Sequence, residues 1–234
     1  MHRPRGVTGE SRSVVVWDLP TRLFHWTLVA LVGFLWVSSD LTLTWHMRAG
    51  ETVIALVLFR LAWGVVGSSR SRFSDFVAAP SAVRRHFDEV RALLKTRGDI
   101  GDHAPTIGHT PLGGYMILVM LGLLAVQAAT GLFSIDDIAT EGPLAHLVSR
   151  HTAKLLTAIH HLNFNLIGLC VAAHVSAALF YLLRKHENLI RPLLTGRKQI
   201  PLALTPPVNR IASPWLALGL LVAAAAVVAE LVRV

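Results

Sequence analysis

Residues 155–183 read LLTAIHHLNFNLIGLCVAAHVSAALFYLL, an uncharged run bounded by Lys154 and Arg184. A helix needs about 20 apolar residues to cross the hydrocarbon core of a bilayer, and this run exceeds that length. It also carries His160, His161 and His174, and an imidazole at such depth costs free energy unless it is ligated or hydrogen-bonded. His160 and His174 are 14 residues apart, which on a regular helix puts them within about 40° of one face and about 21 Å apart along the axis. His161 points about 140° away from His174 on the same geometry. The run therefore reads as a membrane-spanning helix presenting two histidines to one side, one near each membrane surface.

Four more uncharged or nearly uncharged runs flank it, at approximately Leu23 to Asp40, Thr52 to Gly67, Leu112 to Ile135 and Pro214 to Leu231, the second interrupted by Arg60. Of the 234 residues 53% are hydrophobic and 15% charged, and the mean hydropathy is +0.54, too apolar for a soluble domain of this size. The expected fold class is all-α: an integral membrane bundle with a four-helix core and a fifth, C-terminal transmembrane helix. The single cysteine, Cys170, excludes an intrachain disulfide, a cysteine zinc site and cysteine-ligated iron-sulfur clusters.

The formal net charge is +8, but the cations fall on alternate connections instead of forming one basic patch with interleaved aromatics, which argues against nucleic acid. Arg3, Arg5, Arg12 and Arg22, then Arg70 to Arg97, then Arg184 to Arg210 share one side; Arg48, Arg150, Lys154 and Arg233 hold the other. The positive-inside rule makes the first side cytoplasmic and the C-terminus periplasmic, in a bacterial inner membrane. The polar start and the length of the first apolar run do not fit a cleaved signal peptide, so that run is expected to persist as a helix.

The expected divisions are a cytoplasmic tail at 1–15, a transmembrane domain at 16–198, and a linker with the fifth helix at 199–234. Within the longest connection Val83, Phe87, Val90 and Leu94 repeat at helical spacing among charges. Ser81 to Lys95 is thus an amphipathic helix, lying on the inner membrane surface or packed on the bundle. The outer connections are more acidic, with Asp40, Asp136, Asp137 and Glu141.

Depth supplies partners for the two histidines of the long run. His25 lies near the inner end of the first helix and is level with His174; His46 lies at the outer end of the second and is level with His160. Paired histidines fill both axial positions of a haem iron, which suits electron transfer and leaves no site for oxygen. No C-x-x-C-H occurs, so such haems are b-type. Arg60, 14 residues after His46, reads either as a partner for haem propionates or as a side chain snorkelling to the headgroups. Gln127 bonds a quinone or a neighbouring helix. Gly113, Gly114, Gly122 and Gly131 allow close helix approach, and the tryptophans mostly anchor helix ends.

The segments VWDLPTRLFHW at 16–26, LFRLAWGVVG at 58–67, GHTPLGG at 108–114, and HENLIR at 186–191 followed by TGRK at 195–198 resemble the bacterial cytochrome b561 family, which includes the b-type cytochrome subunits of nickel-iron hydrogenases. The resemblance implies a four-helix core with two haems b, and carries the ligands onto His25, His46, His160 and His174, with Asn165 five residues after His160. Hydrogenase-type members also have a fifth helix. The function expected is electron transfer between a periplasmic redox protein, such as a c-type cytochrome or hydrogenase, and the quinone pool, ubiquinone or menaquinone. A superoxide:quinone oxidoreductase, with Arg150 and Lys154 near the outer haem, is one alternative. A histidine-rich transporter is another, disfavoured because the centres of the first four helices lack acidic residues. Lipid is the immediate partner, and an oligomer is compatible with the sequence.

Overall fold

The computed structural model describes residues 10–38, 42–95, 106–136, 141–206 and 208–233. Arg3, Arg5, Asp40, Arg97, Asp137 and the Leu94 side chain lie outside the described residues. The chain runs through β1 (Ser11–Val15), α1 (Leu19–Ser38), α2 (Leu43–Val66), the short α3 (Phe73–Phe76), α4 (Pro80–Lys95), α5 (Pro111–Leu132), α6 (Arg150–Arg184), the short α7 (Ile190–Thr195), β2 (Arg197–Pro201) and α8 (Pro214–Leu231). Five of these, α1, α2, α5, α6 and α8, are long and apolar enough to cross a membrane. The architecture is an all-α membrane bundle.

Local chemistry sets where the long helices start. Pro111 opens α5 while the Thr110 hydroxyl accepts from the Gly113 amide at 3.0 Å, and Ser149 caps α6 through the Thr152 amide at 3.1 Å. Ser213 and Pro214 start α8 in the same way. The second helix begins at Leu43, well before the apolar run at Thr52. Its first turns carry Arg48 and Glu51, ion-paired at 3.0 Å. Outside the hydrocarbon a helix continues with polar side chains at little cost, so hydropathy marks the slab and not the helix.

In cross-section α1 packs on α2, α5 on α6, and α2 lies between α5 and α8. Val53, Val57, Leu124 and Ile167 meet at the centre, flanked by Leu28, Leu35 and Val171. A second cluster, Phe59, Trp63, Ala217 and Ala224 with Phe24, seats α8 on the outer flank of α2. Gly114 permits a close approach, since a Cβ there would lie 2.5 Å from the Phe76 carbonyl oxygen, whereas Gly122 has nothing within 4 Å and serves no such contact.

The start of α1 and the end of α2 are tied by a buried carboxylate. Asp18 Oδ1 accepts from the Thr21 amide at 2.7 Å and so caps α1. Its Oδ2 accepts from Ser71 Oγ at 2.8 Å and Trp63 Nε1 at 3.3 Å, and Thr21 and Ser71 share a further bond at 2.7 Å. Trp63 is fully buried, so it is a core residue and not an interfacial anchor. A buried acid with three donors is well satisfied; the donors are not, once it is gone.

Beneath the bundle β1 and β2 form an antiparallel ribbon that pairs Ser11 with Pro201 and Val15 with Arg197. The turn before β2 needs Gly196, which has φ 79° and whose carbonyl takes the amides of Val16 and Trp17 at 2.8 and 3.2 Å. Glu187 accepts from the Thr106 amide at 2.7 Å and pairs with Lys198, clasping the connection before α5 to the one after α6. The amphipathic α4 packs on α5, with Val83 and Val90 half-buried and Phe87 exposed.

Asp18→Ala strands the Trp63, Ser71 and Thr21 donors in a site closed to water. It should cost about 2–4 kcal/mol, read as a lower thermal midpoint in detergent, and Trp63→Phe should cost less.

Candidate functional site

The four histidines singled out by position come together as two pairs. His25 of α1 and His174 of α6 have ring centres 6.3 Å apart, and His46 of α2 and His160 of α6 have theirs 6.4 Å apart. A histidine nitrogen binds a transition metal at about 2 Å and lies about 1.2 Å from its own ring centre, so two rings on opposite sides of one ion have centres about 6 Å apart. Both pairs have the spacing of axial ligands to one iron. Among the described residues no three His, Cys, Asp or Glu gather as a bare ion would require. The donor set is two opposed imidazoles, twice.

The His46–His160 pair is oriented by hydrogen bonds. His160 Nδ1 donates to the Gln127 carbonyl at 2.9 Å, with Thr130 Oγ1 at 3.3 Å; this makes Nε2 the nitrogen with the lone pair. The Gln127 amide, 3.1 Å from that Nε2, is itself held by Asn163 at 2.7 Å, and a metal bond at Nε2 exchanges that single contact. Ser38 Oγ, fully buried, stands 3.3 Å from His46 Nδ1. A Cβ at Gly131 would sit 3.0 Å from His160 Cε1, so this close approach is what glycine permits. His161 is exposed and turned away.

The His25–His174 pair is less furnished. His25 Nδ1 is buried without a hydrogen-bond partner, beside the edge of Trp26 with ring centres 5.0 Å apart. An orphaned buried nitrogen next to a facing imidazole is what an absent ligand bond leaves, and the residues present fit a haem iron.

Arg60 is 3% exposed, so it does not snorkel to the headgroups. Its guanidinium lies over Phe73 at 5.2 Å and Phe76 at 5.8 Å, and Nη1 is buried without a partner. Next to it His109 is wedged between Trp17 and Phe76, with ring centres 4.5 Å from each. Burial, and after it the Arg60 charge, pushes the His109 pKa down to about 3.

The sequence pattern of prokaryotic cytochrome b561 matches residues 16–196. The chain belongs to the prokaryotic cytochrome b561 family. No curated protein and no solved structure gives a significant match. This cytochrome is a transmembrane b-type electron-transfer protein, and b-type haem is the cofactor the family implies. The matched span begins just before the Asp18 knot and ends at the Gly196 turn, leaving α8 outside. The sequence reading that Gln127 bonds a neighbouring helix holds, since its side chain meets Asn163 and His160 of α6, but the contacts to the second nitrogens of His160 and His46 were not foreseen. Gln127 enters through its backbone carbonyl, which has no residue signature. Ser38, the last residue of α1, reaches His46 in the first turns of α2.

Because buried His109 stays neutral while an unfolded histidine protonates near 6.5, its contribution to stability is full above pH 6.5 and is lost as pH falls from there toward 3. The thermal midpoint should fall over that range, and His109→Gln should make the decline shallower.

Proposed function

We propose that the cytochrome carries electrons across the bacterial inner membrane through two b haems, the inner one between His25 and His174 and the outer one between His46 and His160. The observation that supports this most is the repeat of one geometry, 6.3 and 6.4 Å between ring centres, at two depths about 21 Å apart on the single helix α6. Haem bound by two imidazoles supplies one-electron exchange with no open coordination position. The chain holds each ring and keeps water off it with the Val53, Val57, Leu124 and Ile167 core. Arg60, with its unpartnered Nη1, would take a propionate at the inner site.

Orientation follows from charge. Arg70, Arg72, Arg84, Arg85, Arg91 and Lys95 share the end of the bundle that carries the ribbon with Lys185, Arg191, Arg197 and Lys198, which makes that end cytoplasmic. The outer haem then faces a periplasmic redox protein, a c-type cytochrome or hydrogenase, and the inner haem serves the quinone pool, ubiquinone or menaquinone.

A pyridine haemochrome assay on protein produced with ample haem should return two haems b per chain, and a value near one or below contradicts the proposal. His160→Ala should remove or strongly shift one haem and spare the other, while His161→Ala should leave both midpoint potentials nearly unchanged. The reverse would place the ligand at His161.

A further inference from the structure

A buried tyrosine lies outside the histidine pairs, two turns beyond His174 on α6. Tyr181, near the end of α6, is 6% exposed, and its hydroxyl is 2.9 Å from His86 Nε2 on α4. The other ring nitrogen of His86 is 3.5 Å from Glu89 Oε2, whose side chain is 67% exposed while that of His86 is 12% exposed. On the inward side the Thr110 side chain approaches the same hydroxyl, at the start of α5 next to His109. Tyr181 follows His174 by seven residues, about 10 Å along the axis and within about 20° of the same face. The row therefore runs from water, through an imidazole open at both nitrogens, to a phenol beneath the inner histidine pair.

We propose that Glu89, His86 and Tyr181 form a proton relay between the cytoplasm and a quinone reacting at the inner haem. The proposal rests on the quinone reading given above. Converting a quinone to its quinol consumes two electrons, delivered singly through the haem pairs, and two protons. For each proton, Tyr181 Oη gives its hydrogen inward and takes one from His86 Nε2, while His86 Nδ1 takes one from Glu89 or water. Turnover of the ring restores both residues, and quinol oxidation runs the row in reverse. Imidazole suits this step because its two nitrogens exchange protons near neutral pH. The other charges around the phenol are Lys185, its ammonium 4.5 Å over the ring, and Glu187, whose amide donates to the Tyr181 carbonyl at 3.0 Å.

A purely structural staple between α4 and α6 is the rival, and two measurements separate it. In the haem-free full chain, nitrogen-15 histidine spectra should show the His86 Nε2 signal move on Tyr181→Phe; an unmoved signal overturns the hydrogen bond. In haem-loaded protein in liposomes, pre-reduced haem is reoxidised with decylubiquinone or menadione while a pH dye follows proton uptake. Tyr181→Phe and His86→Ala should slow both signals about tenfold or more, with haem content and melting unchanged, and added imidazole should restore His86→Ala to within about twofold but not Tyr181→Phe. Parent-like rates in either variant, or no rescue by imidazole, overturn the relay. If the unaltered protein is reoxidised by neither quinone, the quinone reading fails and the relay with it.

Discussion

Four imidazoles inside an apolar bundle are the constraint on which the rest of the structure depends. Each needs a partner, because an unsatisfied polar ring in hydrocarbon costs several kcal/mol at about the scale of the whole folding free energy. The bundle faces each histidine of α6 with one from α1 or α2, ring centres just over 6 Å apart, a gap that a metal ion shared by the two rings would fill. Ring positions then depend on helix heights. The Asp18 knot ties the start of α1 to the end of α2 and sets the depth of His25. Trp36 of α1 meets Phe164 of α6 with ring centres 4.7 Å apart one turn from His160, and Gly131 lets His160 lie against α5.

The two ends of the molecule differ in how they hold their pair. Outside, hydrogen bonds from Gln127, Thr130 and Ser38 surround His160 and His46; a ring that donates from its second nitrogen is a more basic and better-oriented ligand. Inside, the order comes from beneath the pair. The ribbon, α7 and the Glu187–Lys198 clasp fasten the segments under α1 and α6, and Arg22 and Trp26 reach the carbonyls of Leu193 and Leu194. At the same end α4, packed on α5, sets His86 against Tyr181.

Much of this was legible in the chain because membrane helices follow local rules. Long runs, uncharged or broken only by a residue such as Arg60, marked all five spans, and the 14-residue interval on α6 pointed to His160, the ring that the fold sets near His46. What was not legible is non-local or polar. Ser11–Val15 and Arg197–Pro201 are short and rich in charge, and they become strands only by pairing with each other across the whole domain. The early start of α2 is hidden because hydropathy reports the bilayer and not the backbone. Arg60 left two readings open, and its burial between Phe73 and Phe76 depends on a loop whose fold no periodicity encodes. Trp63 and Asp18 lay within the matched segments, yet their bond spans 45 residues.

In the proposed arrangement each of two irons would sit between two imidazoles. Low-temperature electron paramagnetic resonance of the fully oxidised, haem-loaded protein reads axial ligation directly. Two low-spin ferric signals of bis-imidazole type are expected, integrating to two spins per chain, with the one from the His46–His160 site altered when Ser38, whose hydroxyl is 3.3 Å from His46 Nδ1, is changed to Ala. A single low-spin signal, or a substantial high-spin signal from an iron lacking one histidine, would contradict it.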